Sequence, residues 1–308
     1  MKMDLDARID DHSFVERMEQ MRAQIERRLG ELLPEGCNER DLVAAAMRES
    51  TLAPGKRMRP MLLMLAAQGW GHTGSEALEL GCAVEMVHAA SLVLDDMPCM
   101  DNATLRRGRP TAHLKFGQDV AILSAVALLS RAFGVVAGIN DIPPAIRTQL
   151  VEIMANTVGM QGLVRGQFQD LHDGKRDRCA EEIALTNRLK TGVLFGAIMD
   201  MACLISGADE RARAALQSFA VELGQAFQLY DDLQDNCADN AKDQGKDNGK
   251  STFVSLYGTQ KTTELLHAHL VTAEQHLHEA YGSTHTVGEY LKLIFRKALQ
   301  PQATAACS

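Results

Sequence analysis

The chain has 308 residues, of which 46% are hydrophobic and 23% are charged, proportions typical of a globular protein with a large core. Its formal net charge is −8, which excludes a general nucleic-acid-binding surface and requires local basic clusters or metal ions to hold any anionic ligand. Seven cysteines without a C-x-x-C pair, and an acidic amino terminus that lacks the apolar segment of a signal peptide, predict reduced thiols in a cytoplasmic protein.

Apolar residues recur at spacings of three and four along most of the chain, which predicts helices. The predicted helices cover residues 13–33, 39–50, 61–68, 75–94, 118–139, 145–172, 180–206 and 210–235, with two more within 261–299. No alternating pattern of useful length predicts a strand, and no glycine-rich nucleotide motif occurs. We therefore predict an all-α fold: one large helical bundle around a central cavity, with 1–308 as a single domain and 301–308 as a weakly ordered tail.

The stretch 120–139 has the length and apolar character of a membrane span. Arg131 stands in its middle and would cost about 2.5–3.5 kcal/mol on insertion. Small residues also keep its hydrophobicity modest. We predict a buried bundle helix here and no membrane span.

A basic loop at residues 52–60 precedes the third predicted helix. Lys56, Arg57 and Arg59 stand between Pro54 and Pro60. An isolated basic run is usually a solvated loop, but here the prolines fix a turn and the backbone N–H groups of a helix start favour anions. The loop therefore predicts a phosphate site.

Three carboxylates follow the helix predicted for 75–94. Asp95, Asp96 and Asp101 repel one another unless a hard cation lies between them, and Mg²⁺ takes one or two carboxylates together with substrate phosphates. Arg106 and Arg107, a few residues later, supply the planar donors that hold phosphate. This stretch predicts a magnesium and phosphate site.

Two other polar side chains lie within apolar, helix-patterned stretches. His88 shares one face of its helix with Ser91 and Asp95. A helical histidine is most often structural, but this position makes ligand binding an equal alternative. Lys190 has apolar neighbours, so it must either extend its amine to solvent or find a partner.

A second acidic cluster ends the helix predicted for 210–235. Asp231 and Asp235 are four residues apart and share a face with Gln228. An exposed acidic helix end is the alternative, but the preceding residues are apolar. The polar loop 236–251 follows, with Lys242, Lys246 and Lys250. Its composition alone indicates a flexible linker, whereas its position favours a mobile cover that brings lysines to phosphates.

Together these motifs resemble those of the trans-polyprenyl diphosphate synthases. The family pattern is GKRxRP, a His, an aspartate-rich motif with paired arginines, KT, QxxDDxxD and a lysine loop ending in GKST. The matches occur in that order: Gly55–Pro60, His88, Asp95–Asp101, Arg106 and Arg107, Lys190 and Thr191, Gln228–Asp235, Lys246 and Lys250. They span roughly residues 40–260. The resemblance implies a cytoplasmic all-α homodimer that uses Mg²⁺, with an expected three ions per active site.

The resemblance also implies the reaction and the role of each residue. Isopentenyl diphosphate would be condensed head to tail with an allylic diphosphate. The implied catalytic set is Asp95, Asp96, Asp101, Arg106, Lys190, Asp231 and Asp232. The implied metal ligands are Asp95, Asp101 and Asp231, with Asp96, Asp232 and Asp235 as further or water-mediated ligands. The implied substrate-binding residues are Lys56, Arg59, His88 and Arg107 for isopentenyl diphosphate, and Arg106, Lys190, Thr191, Gln228, Lys246 and Lys250 for the allylic diphosphate and its cation.

Product length is predicted from the two residues that stand four and five positions before Asp95. Farnesyl-forming members commonly carry an aromatic residue there, whereas this chain has Ala90 and Ser91. The resemblance is greatest to bacterial geranylgeranyl diphosphate synthases of carotenoid clusters and implies a C20 product. A C15 farnesyl diphosphate synthase is the alternative. A terpene cyclase is disfavoured because its second metal motif is N/D-x-x-S/T-x-x-x-E.

Overall fold

The computed structural model describes residues 11–36, 40–173, 178–235, 252–283 and 285–299. Within these ranges there are thirteen α-helices: α1 Asp11–Leu32, α2 Leu42–Leu52, α3 Met58–Gln68, α4 Glu76–Asp95, α5 Ala112–Phe116, α6 Gln118–Ala137, α7 Pro144–Val158, α8 Leu163–Asp173, α9 Ala180–Asn187, α10 Val193–Ser206, α11 Glu210–Asp235, α12 Phe253–Tyr281 and α13 Thr286–Leu299. A π-helical turn, Arg188–Gly192, joins α9 to α10, and a small antiparallel hairpin pairs β1 (Leu105–Arg106) with β2 (Arg109–Pro110). The predicted all-α class is confirmed.

The structure divides the helix predicted for 145–172 into α7 and α8. The break lies at Gly159–Gly162, where Gly159 leaves helical geometry with an extended ψ. A Cβ at Gly162 would lie only 2.1 Å from the carbonyl oxygen of Thr157. Only glycine therefore allows this tight turn, and α8 takes a new direction towards the π-helical turn.

The carboxy-terminal third also begins earlier than the sequence predicted. Thr252 caps α12: its Oγ1 accepts a hydrogen bond from the Ser255 N–H, and the Ser255 hydroxyl oxygen accepts one from the Thr252 N–H. Gly258, at φ +77°, kinks the helix one turn later. Capping boxes of this kind fix helix starts, so α12 begins at Phe253, ahead of the predicted 261.

Helix α4 lies at the centre of the bundle. It is buried on every side along most of its length and packs against α3, α6 and α10. A helix that is apolar all round belongs in a core, and one continuous apolar core runs here from Phe14 in α1 to Phe295 in α13. The last turn of this central helix carries Asp95.

Three stretches are long and apolar enough to cross a membrane by length and composition: Glu76–Asp95, Gln118–Ala137 and Ala180–Ser206. The first lies inside the bundle as α4. In the second, α6, the Nε of Arg131 donates to the carbonyl oxygen of Leu32 at 2.8 Å. α6 packs on one side only and exposes Ile122, Leu123 and Val126 on the other, so it is less buried than the sequence predicted. The buried α4 supports the prediction of no membrane span, which stays a prediction.

Candidate active site

The first aspartate motif is a helix end followed by a bend. The Asp96 N–H still bonds to the Leu92 carbonyl at 3.1 Å, and the chain then turns back so that the Asp101 N–H donates to the Asp95 carbonyl at 2.9 Å. Asn102 takes a left-handed conformation, with φ +48°, which asparagine tolerates. The bend returns Asp101 to the end of α4, beside Asp95.

Asp95 lies in surroundings that disfavour its charge. Burial raises its pKa to about 6. Lys190 and, less strongly, Arg106 oppose that rise, whereas Asp101 and Asp96 add to it. A carboxylate that is both buried and close to other carboxylates is stabilised by a hard cation. The donor set therefore fits Mg²⁺. Among the described residues, however, no three of these carboxylates bring their oxygens within 4.8 Å of one another.

Asp96 points to Arg106. The Nε of Arg106 lies 3.1 and 3.2 Å from the two carboxylate oxygens of Asp96, and its Nη2 lies 2.5 Å from Oδ1. The Asp96 side chain is only 5% exposed, whereas that of Arg106 is 34% exposed. Such forked pairs hold a guanidinium in a fixed plane, so Asp96 positions Arg106 at the edge of the motif.

Arg107 points the other way, to the basic loop. Its Nη1 donates to the Pro54 carbonyl at 2.8 Å. A Cβ at Gly55 would lie 2.5 Å from this same nitrogen, so the glycine of the GKRxRP motif provides the space for Arg107. The paired arginines thus join two motifs that are about fifty residues apart in the chain.

The three cations of the basic loop have different surroundings. Arg57 is buried with a left-handed φ of +48°, and it pairs with the buried Glu85 at 3.0 Å and with the Ala53 carbonyl at 2.8 Å. Lys56 is exposed, with its amine 5.6 Å from the centre of the Tyr230 ring. Arg57 therefore stabilises the fold, and Lys56 remains accessible to a ligand.

Arg59 faces α10 and α11. Its guanidinium lies 5.3 Å from the ring centre of Phe195 and 5.9 Å from that of Phe227, and its Nη1 lies 3.3 Å from Nε2 of His88. Burial, and then the charges of Arg59, Arg107 and other arginines, hold the pKa of His88 well below its usual range. His88 is therefore a neutral ring that accepts from Arg59.

Lys190 projects from the π-helical turn. Its amine lies 2.7 Å from an oxygen of Asp170 in α8. Burial lowers its pKa, but Asp170, Asp95 and Asp101 outweigh burial and raise it overall. A Cβ at Gly166 would lie 2.4 Å from the Lys190 backbone nitrogen, so this glycine lets α8 approach the turn. π-Helical turns are frequent at functional sites.

The second aspartate motif lies on α11. Gln228 is 3.5 Å from the Thr191 hydroxyl and donates to Asp232 at 3.2 Å. The other Asp232 oxygen accepts the Phe253 N–H at 3.3 Å, which fixes the start of α12. Asp231 is close enough to Arg59 to raise its pKa, although burial lowers that pKa overall. The side chain of Asp235, and Lys242, Lys246 and Lys250, lie outside the described residues.

The two predicted length-determining residues are unlike each other. Ala90 is completely buried, whereas Ser91 is half-buried and its hydroxyl donates to the His88 carbonyl at 2.9 Å.

The structure thus brings together α3, α4, the π-helical turn and α11 around the predicted residues. Sequence reasoning missed Asp170 as the partner of Lys190. The sequence places Asp170 on one helical face with Gln167, but it does not place that face beside Lys190.

Comparisons with known proteins decide the family. A family model described as "Polyprenyl synthetase" matches residues 40–291, well over half of the chain. The chain belongs to the polyprenyl synthetase family. The predicted family is therefore confirmed, and with it the class of prenyl-group transferases in isoprenoid biosynthesis.

Individual relatives in this family cover most of the chain. It is 51% identical to a geranylgeranyl diphosphate synthase from Pantoea ananas, over 91% of this chain and 93% of the relative. It is 47% identical to one from Pseudescherichia vulneris, over 90% and 91%. A farnesyl diphosphate synthase from Geobacillus stearothermophilus is 38% identical over 76% of this chain and 82% of the relative.

Two solved structures in this family share the fold. An FPP/GFPP synthase from Zymomonas mobilis superposes with a TM-score of 0.80 at 33% identity, over 92% of this chain and 98% of its own. A geranyltransferase from Helicobacter pylori, complexed with magnesium and isoprenyl diphosphate, superposes with a TM-score of 0.83 at 25% identity, over 94% of this chain and 98% of its own.

Proposed function

We propose that this protein is a geranylgeranyl diphosphate synthase, which condenses isopentenyl diphosphate head to tail with allylic diphosphates and releases diphosphate. One observation carries the proposal: an aspartate motif at the end of α4 and another on α11 both approach the π-helical turn. Asp95 and Asp101 raise the pKa of Lys190 in that turn, and the hydroxyl of the adjacent Thr191 lies 3.5 Å from Gln228 of the second motif. The names of the Pantoea and Pseudescherichia relatives agree with this activity.

Mg²⁺ is the proposed cofactor, with three ions per active site. Asp95 and Asp101 would hold it from α4, and Asp231 and Asp235 from α11; the magnesium named in the Helicobacter pylori structure supports this assignment. When bound, Mg²⁺ neutralises the leaving diphosphate as a Lewis acid. We assign Asp96 and Asp232 to positioning, because each already holds a neighbouring group: Arg106 in one case, Gln228 and the Phe253 N–H in the other.

The cations of the site would bind the two diphosphates. Lys56, Arg59 and Arg107, with the neutral His88 against Arg59, are proposed for isopentenyl diphosphate. Arg106 and Lys190 are proposed for the allylic diphosphate, together with Lys246 and Lys250. Lys190 is half-buried, with its amine paired to Asp170, and a small rotation would transfer it to a phosphate oxygen.

The proposed reaction has three steps. The allylic C–O bond breaks, and its electron pair leaves with the diphosphate. The double bond of isopentenyl diphosphate then attacks the allylic cation and forms the new C–C bond. A proton is finally lost, and the departed diphosphate is the proposed base. The oxygens of Thr191 and Gln228, 3.5 Å apart, are proposed to stabilise the cation, and a closed site must exclude water.

The C20 product is proposed from the small side chains of Ala90 and Ser91. Ser91 lies on the same face of α4 as His88 and Asp95, so its size would set the depth available to a growing chain. A farnesyl synthase remains the second candidate, since the Geobacillus relative carries that name at lower identity. We further propose that the enzyme acts in carotenoid biosynthesis and is cytoplasmic. Residues 1–308 are proposed to form one domain.

The homodimer is proposed from an exposed apolar face on α6. Ile122, Leu123 and Val126 lie on one side of this helix and are exposed, and Leu114 of α5 is exposed next to it in the chain. Contiguous exposed apolar surface is typical of a subunit interface. A second copy of this chain is the proposed partner. Val126→Glu should convert the dimer to a monomer in sedimentation velocity, and an unchanged sedimentation coefficient would contradict this assignment.

One assay tests the activity. The purified protein is incubated with Mg²⁺, isopentenyl diphosphate and, in separate reactions, dimethylallyl, geranyl or farnesyl diphosphate, and product length is read by chromatography. We expect C20 as the main product, loss of turnover with a chelator and its return with Mg²⁺. A main product of C15 would favour the farnesyl alternative, and metal-independent turnover would overturn the proposal. Asp95→Ala and Asp231→Ala serve as inactive controls with unchanged helical circular dichroism.

A further inference from the structure

A second group of possible metal ligands lies where α12 meets α13. Glu274 and His278 are four residues apart on α12, and His285 stands just before α13; one ligand atom of each lies within 4.8 Å of the others. Nε2 of His278 is 3.8 Å, and Nε2 of His285 is 4.0 Å, from Oε1 of Glu274. We propose that these three residues bind a transition-metal ion of the Zn²⁺ type that clamps α12 to α13.

His278 is oriented as a metal ligand. Its Nδ1 lies 3.0 Å from the Gly282 carbonyl oxygen, so this nitrogen carries the proton and the Nε2 lone pair is left to face Glu274. Metal-binding histidines are commonly fixed by such a second hydrogen bond. The side chain is 46% exposed, which gives an ion a path into the group.

His285 supplies the buried side of the site. Its side chain is 4% exposed, and its Nε2 has no hydrogen-bond partner. Buried polar atoms are almost always satisfied, so an unpartnered nitrogen aimed at a carboxylate indicates a missing ligand.

One hydrogen bond must be exchanged when the ion binds. The Gly288 N–H donates to Nδ1 of His285 at 3.0 Å, which places the proton of the neutral ring on Nε2. Coordination by Nε2 moves that proton to Nδ1 and removes this cap from α13. A Cβ at Gly288 would lie 2.3 Å from the His285 ring and 3.0 Å from Glu274, so the glycine leaves both ligands room to adjust.

The amine of Lys292 lies beside Glu274, where the proposed metal cation would bind. Its amine lies 3.5 Å from Oε1 of Glu274 and its side chain is 37% exposed, so a metal can displace it into solvent. Two imidazoles, one carboxylate and an open position suit Zn²⁺, whereas Mg²⁺ prefers oxygen ligands. Bonds of about 2.0–2.1 Å in a tetrahedron require ligand atoms roughly 3.3 Å apart. The separations of 3.8 and 4.0 Å from Glu274 must therefore shorten by roughly half an ångström or more when the ion binds.

The site is separate from the aspartate motifs. Tyr281, which follows His278 on α12, donates to the Ala66 carbonyl at 3.0 Å and packs on Trp70. Both contacts lie at the end of α3 opposite Arg59, about 10 Å along the helix at 1.5 Å per residue. The clamp would therefore stabilise the carboxy-terminal helices without touching the diphosphate sites.

Co²⁺ is the probe, because its visible absorption distinguishes tetrahedral nitrogen coordination from octahedral oxygen coordination. The full-length protein is first saturated with Mg²⁺ and then titrated with Co²⁺. We expect one tetrahedral equivalent in the natural protein and in His276→Gln, a control on the same helix whose ring pairs only with Glu279 among the described contacts. His278→Gln and His285→Gln should lose that spectrum and keep prenyl transfer. Zn²⁺ should raise the thermal midpoint of the natural protein and of His276→Gln, but not that of His278→Gln or His285→Gln.

Lys292→Met provides a test in the opposite direction. Loss of the competing ammonium should tighten Co²⁺ binding about tenfold, and equal or weaker binding argues against the site. A tetrahedral spectrum that persists in His278→Gln, or its absence from the natural protein, overturns the proposal. Because His278 is half-exposed, its variant decides the matter even if His285→Gln folds poorly.

Discussion

Replacing Asp96 with Asn keeps the shape of the side chain and removes the charge that holds Arg106. Three short contacts join the two groups, and hydrogen bonds to charged groups each contribute about 1.5–3 kcal/mol. The partial exposure of Arg106 reduces this, so we take about 2 kcal/mol for the whole pair. If Arg106 contributes through its position in the transition state, kcat/KM should fall about 30-fold.

The assay is an Mg²⁺ titration of steady-state turnover. The proposed positioning role predicts that Asp96→Asn lowers kcat/KM while the half-saturating Mg²⁺ concentration stays within about twofold. Asp95→Asn, the matched control one residue away, should raise that concentration by at least about tenfold, since it removes a ligand. A double variant with Arg106→Gln should be little worse than either single variant, because the two residues act as one unit. An Mg²⁺ requirement in Asp96→Asn that rises like that of Asp95→Asn would refute the reasoning and favour direct coordination.

Three further predictions concern pH, product length and stability. Because burial raises the pKa of Asp95 to about 6, protons compete with Mg²⁺ below that pH; apparent Mg²⁺ affinity should rise between about pH 5 and 7, and a flat profile contradicts this. Ser91→Phe should shift the product from C20 towards C15 in chromatography. Ala90→Tyr should do the same but also lower the thermal midpoint, because Ala90 is completely buried. Glu85→Gln removes the buried counter-ion of Arg57 and leaves Glu26, which lies 3.5 Å from it and is more exposed. We expect a cost of about 3 kcal/mol, the lower end for a broken buried pair, seen as a fall in thermal midpoint; an unchanged midpoint would show that the pair is dispensable.

The order of the helices could be predicted from sequence because a long helix repeats its apolar positions many times, so one irregular residue does not hide the pattern. Features that depend on the backbone conformation of a single residue could not be predicted in this way. The turn at Gly159–Gly162 divides one periodic stretch into α7 and α8, since two glycines changed the direction of the chain without changing its pattern. That same change of direction delivers Asp170 to Lys190, which explains why the pair was missed.

The basic loop shows the same limit at the scale of one residue. Lys56, Arg57 and Arg59 are equally basic in sequence. In the structure Lys56 is exposed, Arg59 is half-buried, and Arg57, with its left-handed φ, is buried. Its partner, Glu85, is 28 residues away on α4. Sequence motifs therefore identified the set of charges, whereas the backbone assigns each charge its role.

These assignments also explain the energy available for binding a diphosphate. Burial, and then neighbouring cations, lower the pKa of His88, while burial is the largest cause for Arg59 and Arg107. Each shift shows that the charged form of the group is disfavoured by its surroundings, chiefly by burial. Arg57 is excluded from this group by Glu85, and Arg106 by Asp96. The fold thus neutralises the cations that stabilise it, and Lys56, Arg59 and Arg107 stay the cations that we propose for substrate binding. We expect a bound diphosphate to offset the cost of burying their charge, which would favour highly charged ligands.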